Sequence, residues 1–351
     1  MHQSPEGLGI KDGLLIVDKP TGMTSHDVVV RVRRATGIRR VGHTGTLDPL
    51  ATGVLPLVFG QATRLAPFLS ATTKTYEAVF RLGVVTDTYD ITGNIVKLSR
   101  ERSYSSETCL EAVNVCDNSL SKELFKFQDT PNPTENSRIN FEILEDVRTR
   151  FLGSFWQQPP QFSAKKIKGV RSYKLARHQK QAKAEPVKVT VYDFEFLALE
   201  NERLKCRVTC SPGFYVRALA HEIGIRLGCG ACVEELRRES SAGFSLETAV
   251  PLDVVEAEGV SILHRLTPLS CLLPHLPAFE LTDSAVKRAG HGNTVLPGDA
   301  RPITKTPCGN RPCFISELEP EAVKLFDRQG TLIAIAETAP NGFLHPTIVL
   351  V

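Results

Sequence analysis

The chain has 351 residues, 42% of them hydrophobic and 23% charged, the balance of an ordinary globular protein with a full core, and its length sets an expectation of two domains. No apolar run is long enough to span a bilayer, and the opening residues MHQSPEGLGIKDG lack the apolar centre of a signal peptide, so the expectation is a cytoplasmic protein with no membrane partner. A net charge of +3 identifies no partner, but its distribution is uneven.

Residues 12–20, DGLLIVDKP, read as a short buried strand that ends at Pro20. Ser25 is then expected to cap a helix, SHDVVVRVRRAT, with Asp27 in its favourable first turn. RVRRATGIRR (31–40) carries five arginines and no acid. Such a stripe can neutralise phosphates, although a solvated helix face gives the same pattern. VGHTGTLDPLATGVL (41–55) places a lone carboxylate, Asp48, among glycine, threonine and aliphatic residues. Gly42, Gly45 and Gly53 are expected to break regular structure, and Pro49 to hold Asp48 extended, so Asp48 sits on a constrained loop. Ordinary turn chemistry also explains an Asp before Pro, and the motif alone does not separate the two readings.

KTYEAVFRLGVVT (74–86), VKVTVYDFEF (187–196) and RLKCRVTCS (203–211) read as strands. Residues 103–138 are Ser-, Asn- and Pro-rich and read as an insertion, with a short helix around 107–116 and a loop behind it. INFEILEDVRTRFLGSF (139–155) resumes a helical pattern. From Lys165 to Lys188 there are nine Lys or Arg and one acid, a second candidate polyanion stripe. YVRALAHEIGIRLG (215–228) is an amphipathic helix with Val216, Leu219, Ala220, Ile223 and Leu227 on one face and Gly228 as its stop. Arg217 falls in its first turn, where the helix dipole disfavours a cation, which calls for a carboxylate from elsewhere or exposure to water. Beyond residue 270, PAFELTDSAV, GNTVLPGD, TLIAIAETAP and TIVLV suggest a small β-rich domain. Strands and helices are mixed rather than strictly alternating. The fold expected is α+β, with a mixed, largely antiparallel sheet core flanked by helices.

Nine cysteines, an odd number, point to reduced thiols rather than a disulfide framework. Cys229 and Cys232 form one CxxC, with Cys308 and Cys313 far downstream, too little for a zinc site. There is no GK[ST] after the Gly-rich loop, no GxGxxG after a strand, no HExxH and no GxSxG. No cofactor or metal is expected.

Three ordered blocks resemble the TruB family, the pseudouridine synthases that act on the T-arm of tRNA. They are LLIVDKPTGMTSHDVV (14–29), VGHTGTLDPLATGVLPLVFGQATR (41–64) followed by KTYEAVFRLGVVTDTYDITG (74–93), and SPGFYVRALAHEIGIRLGCGACVEELRRESSAGFSL (211–246). QQPPQFSAKKIKGVRSYKLAR (157–177) looks like a fourth. The resemblance implies the pseudouridine synthase fold and the isomerisation of uridine 55 of tRNA. A C–N glycosidic bond breaks, the uracil turns, and a C–C bond forms. Asp48 matches the family's catalytic aspartate, and Arg217 the cation that would pair with it; a neighbouring cation favours an ionised carboxylate. Tyr76 matches the residue against the uracil ring, its hydroxyl placed for proton removal from C5. His43 matches the residue that fills the stacking position of a flipped base. Tyr215 and Leu236 match residues around that base, and Lys19 and Arg64 match basic positions with phosphate-binding or structural roles.

The resemblance also implies a catalytic domain over 1–270, interrupted by the 103–138 insertion, and over 271–351 a small β-barrel like the RNA-binding PUA domain. A monomer is expected. Phe162 stands where a Tyr is common, Pro212 replaces a frequent Lys, and Arg64 replaces a frequent Lys. Competing readings are a guide-RNA-dependent relative, an RNA-binding folding factor in which catalysis is secondary or lost, and a glycosidase, which would need two acids where the 41–64 block has one.

Overall fold

The computed structural model describes residues 12–98, 141–162, 166–167, 170–171, 185–303, 322–339 and 341–351. The 103–138 insertion, with its expected helix, and most of the 165–188 basic stripe lie outside the described residues. The chain divides into two compact units, one made of Met1–Thr73 with Glu239–Val351, the other of Lys74–Arg238.

The first unit opens with β1 (Gly13–Lys19), α1 (Ser25–Thr36), β2 (Val41–His43), β3 (Thr52–Phe59) and the short α2 (Ala66–Ser70). β1 and β3 are antiparallel, from Gly13 opposite Phe59 to Lys19 opposite Gly53. Both are buried along nearly their whole length, as continuous apolar strands covered on both faces should be. The cap of α1 is Thr24 and not Ser25 as expected. Thr24 Oγ1 accepts from the Asp27 amide at 3.1 Å, and the Asp27 carboxylate accepts from the Thr24 amide at 2.8 Å, a reciprocal capping box. The helix buries Val28, Val29 and Val32. Gly42 and Gly53 prove to be strand residues, Gly53 with φ 99° at the start of β3, and the left-handed turn is at Gly45 (φ 78°).

The second unit is built on β4 (Lys74–Leu82), β5 (Val84–Thr86), β6 (Ile95–Leu98), α3 (Phe141–Thr149), β7 (Gly153–Gln157), the two-residue β8 (Lys166–Ile167) and β9 (Val170–Arg171), β10 (Val187–Glu200), β11 (Arg203–Cys210), α4 (Val216–Arg226) and β12 (Ala231–Ser241). Its main sheet runs β12-β4-β11-β10-β7, and the β4–β11, β11–β10 and β10–β7 pairs are antiparallel. The stretch 74–86 is two strands, because Gly83 takes φ 82° between them. The pattern at 139–155 is likewise broken: α3 ends at Thr149, Gly153 turns the chain with φ 84°, and Phe155 belongs to β7. β4 alternates strictly, burying Lys74, Tyr76, Ala78, Phe80 and Leu82 on one face. On the other face Glu77 pairs with Lys205 at 2.9 Å. α4 buries the apolar face read from its sequence. A Cβ at Gly224 would stand 2.0 Å from the Ala231 amide, so only glycine lets the helix approach the start of β12.

The first unit resumes with β13 (Phe244–Ser245), β14 (Val250–Pro251), α5 (Leu252–Glu258), β15 (Thr267–Pro268), β16 (Ala278–Leu281), α6 (Asp283–Gly290), β17 (Ala300–Ile303), β18 (Ala322–Phe326), β19 (Leu332–Thr338) and β20 (Leu344–Val349). The last five strands form a separate C-terminal sheet in the order β17-β16-β18-β19-β20, an open path rather than a closed barrel among the described residues. It has a core of its own under α6, around Leu281, Ala285, Val323 and Ile333. A second cluster joins Leu14, Ile16 and Val58 to Leu272, Phe326 and Ile335, so residues on either side of position 270 share apolar contacts. Cys206, Cys210, Cys229 and Cys232 are reduced thiols, whereas Cys271 is disulfide-bonded, contrary to the expectation of reduced thiols throughout. Among the described residues no helix is long and apolar enough to cross a membrane.

Candidate active site

In the first unit Asp48 lies between two buried anchors, Leu47 at 3% and Ala51 at 0% exposure, while Asp48 itself is half-buried. The loop is held through its main chain. The Lys19 ammonium, on a side chain with no exposure at all, donates to the carbonyls of Ala51 (2.6 Å), Pro20 (2.8 Å) and Pro49 (3.4 Å). A buried cation is costly unless hydrogen-bonded, and here carbonyls of the Asp48 loop supply the partners. The Gly22 amide donates to the Pro49 carbonyl at 2.8 Å, and Thr21 Oγ1 to the Leu50 carbonyl at 3.1 Å. Ser25 accepts from the Leu47 amide at 2.8 Å and donates to the Leu47 carbonyl at 3.2 Å. The 14–29 block is thus the frame of the 41–55 block, and Lys19 takes part in it. His43 ends β2, opposite Leu57 of β3.

Arg64 is exposed. Its guanidinium donates to the Val349 carbonyl of the C-terminal sheet. In the 31–40 stripe, Arg33 donates to the Val41 carbonyl, Arg40 to Thr63 and Gln61, and Arg31 pairs with Glu256 at 3.6 Å. Of these partners only Glu256 carries a charge.

In the second unit Tyr76 is central in β4, opposite Val208 of β11, and only 7% exposed. Lys74 shares its face. Burial, and then the charge of Arg238, push the Lys74 ammonium down to about 8. Leu236, on β12, is buried. Tyr215 precedes α4, and its backbone is clamped by the buried Gln157 side chain, which accepts from the Tyr215 amide at 2.8 Å and donates to its carbonyl at 3.1 Å. Gln157 was not singled out from sequence, although it opens the fourth block.

Arg217 is 5% exposed at the start of α4. Its guanidinium donates to the carbonyls of Thr88 (2.9 Å) and Phe162 (3.0 Å) and stands 3.5 Å from the Asp90 carboxylate. The carboxylate that its helix position called for is therefore present within its own unit. Phe162 contributes its carbonyl, which its lack of a hydroxyl does not affect. Asp90 is pre-set for the pairing: its Oδ1 accepts from Thr88 Oγ1 (2.9 Å), the Thr92 amide (3.1 Å) and Thr92 Oγ1 (2.5 Å), leaving Oδ2 toward Arg217. Asp90 was missed from sequence; the local signal is an Asp flanked at two residues on each side by Thr, a turn-forming arrangement. Among the described residues no group of three or more His, Cys, Asp or Glu is placed to hold a metal ion.

A family model described as the TruB family pseudouridylate synthase N-terminal domain matches residues 33–123 and 122–216, and one described as the tRNA pseudouridylate synthase B C-terminal domain matches residues 217–272. A tRNA pseudouridine synthase B of Solibacter usitatus is 37% identical over 97% of this chain and 100% of its own length. One of Syntrophotalea carbinolica is 39% identical over 80% of this chain and 81% of its own. In the crystal structure of an archaeal box H/ACA sRNP Nop10–Cbf5 complex, one chain has the same fold at TM-score 0.64 and 22% identity, over 99% of this chain and 89% of that one. The chain belongs to the TruB family of pseudouridylate synthases and is an isomerase of that class.

Proposed function

We propose that the protein converts uridine 55 in the T-arm of tRNA to pseudouridine, with Asp48 as the nucleophile. The observation that carries this reading is the Asp48 loop, in which a half-buried carboxylate is held between buried anchors by a buried ammonium and a framework of carbonyls. A nucleophilic carboxylate needs a fixed position and an ionised state. Arg217 is proposed as the cation that favours ionised Asp48, with Asp90 and two carbonyls fixing its direction.

The target base must leave the RNA stack, at a cost of a few kcal/mol. His43 is proposed to fill its place, Tyr215 and Leu236 to flank the everted uracil, and Tyr76 to lie against it and take the C5 proton. The C1′–N1 bond breaks and the C1′–C5 bond forms, so atoms and electrons balance without oxidant, phosphate donor or cofactor. The C-terminal sheet is proposed as a PUA-like grip on tRNA that adds backbone contacts without base readout. The domain boundary near residue 270, a monomeric state and a cytoplasmic site of action belong to the same proposal.

The test is tritium release from an unmodified tRNA transcript, without guide RNA. A transcript labelled at C5 of uridine 55 alone is expected to lose its label to water, and one labelled at every other uridine to keep it. Retention by the first transcript would refute the assignment; RNA binding without release would favour the folding-factor reading, and release only on adding a guide RNA the guide-dependent one.

A further inference from the structure

We infer that Tyr89 and His221, which no family motif assigns, are positioning residues that lock the Asp90 turn onto the helix face carrying Arg217. The two rings are stacked, with centroids 3.9 Å apart and planes 8° from parallel. His221 follows Arg217 by one helical turn on α4, so both side chains leave the same face. Tyr89 directly precedes Asp90. The turn and the helix are thus joined at two levels, ring on ring at one turn and ion pair at the other. The ion pair and the Arg217 bond to the Thr88 carbonyl hold the turn at the start of the helix, and the stack adds a second point of contact one turn further along.

The backbone supports this reading. Tyr89 has φ 63°, a left-handed conformation that glycine or asparagine would adopt with less strain. A tyrosine there is not demanded by the turn, which makes its ring the feature in use. The turn is pinned from the other side by β12, through Ile91 amide to Val233 carbonyl (2.8 Å) and Val233 amide to Tyr89 carbonyl (3.0 Å). Tyr89 therefore has a fixed main chain and a ring directed at α4. His221 is mostly buried, and burial pushes its imidazole down to about 4, so near neutrality it is an uncharged flat ring beside the phenol.

The inference rests on the reading that Arg217 serves the reaction. Its test is steady-state kinetics on a tRNA transcript. Tyr89→Phe and His221→Phe keep a flat ring and are expected to stay near the wild-type kcat. Tyr89→Gly and His221→Ala delete a ring and are expected to lower kcat roughly tenfold or more, with KM for tRNA unchanged. Tyr89→Gly also relieves the left-handed strain, so it separates loss of positioning from loss of stability and keeps the test open should His221→Ala fail to fold. In an Asp90→Asn background, His221→Ala is expected to add no further loss, since both contacts serve the one position of Arg217. Wild-type kcat in Tyr89→Gly, or losses that multiply in the double variant, would overturn the inference. An Arg217→Ala variant with wild-type kcat would instead overturn the reading it rests on; loss of activity in Arg217→Ala without loss in Tyr89→Gly would remove the stack alone.

Discussion

Lys19→Met removes the ammonium and nearly keeps the length of the side chain. The ammonium donates to three carbonyls, of Ala51 at 2.6 Å, Pro20 at 2.8 Å and Pro49 at 3.4 Å, but they are not equal. Pro20 and Pro49 are exposed and can recruit water, whereas Ala51 is fully buried and its carbonyl loses a partner outright. An orphaned buried acceptor costs about 1–3 kcal/mol. Removing a buried charge returns part of that, because the cation no longer has to be desolvated. The expected net loss is about 2 kcal/mol of stability in the first unit. Activity is expected to fall further, by roughly a hundredfold, because freeing the loop misplaces Asp48 in a way that a stability loss alone would not. Urea unfolding should be followed by circular dichroism, since the chain's single tryptophan, Trp156, lies in the other unit. An unchanged unfolding midpoint together with wild-type kcat would refute the reasoning.

Two further outcomes follow from the same geometry. Ser25→Ala deletes the hydroxyl that accepts from the buried Leu47 amide at 2.8 Å; stability should drop by about 1–2 kcal/mol, with a fall in kcat at unchanged KM, and equal midpoints by urea titration would count against the clamp. His221 is held at about 4 against an ordinary 6.5, so between those values the unfolded chain binds more protons than the folded one. Stability is then complete above about pH 6.5 and is lost as pH falls toward 4, amounting to about 2 kcal/mol by pH 5. His221→Phe, which cannot titrate, should lose less stability than wild type between pH 7 and pH 5, and equal losses would contradict the assignment.

The sequence carried the strands and helices whose signals are local. β1 is a continuous apolar run, β4 alternates, and α4 repeats its apolar face at helical spacing, and each needs only its own residues. The misplaced boundaries came from single residues. Gly83 and Gly153 break patterns that the flanking side chains would have continued, and Thr24 outcompetes Ser25 as cap because Asp27 lies at the right spacing to return the hydrogen bond. Asp48, Tyr76 and Arg217 were singled out by motif, but the groups that fix Arg217 and the backbone of Tyr215 were not. Arg217 meets the Thr88 carbonyl across 129 residues of chain, and Gln157 meets Tyr215 across 58. Periodicity carries no information at such separations. Lys19 shows the converse: a cation in a motif can serve a phosphate or the fold, and its burial against three carbonyls is set by residues that the local pattern does not report.

The central claim is that the Asp48 carboxylate performs the chemistry. The most direct measurement is tritium release from a tRNA transcript carrying [5-³H]uridine, by wild type and by Asp48→Asn, which keeps the size of the side chain and removes its charge. Wild-type protein should release tritium, and Asp48→Asn should release none above background while binding the transcript and unfolding like wild type. Release by Asp48→Asn at the wild-type rate would contradict the account.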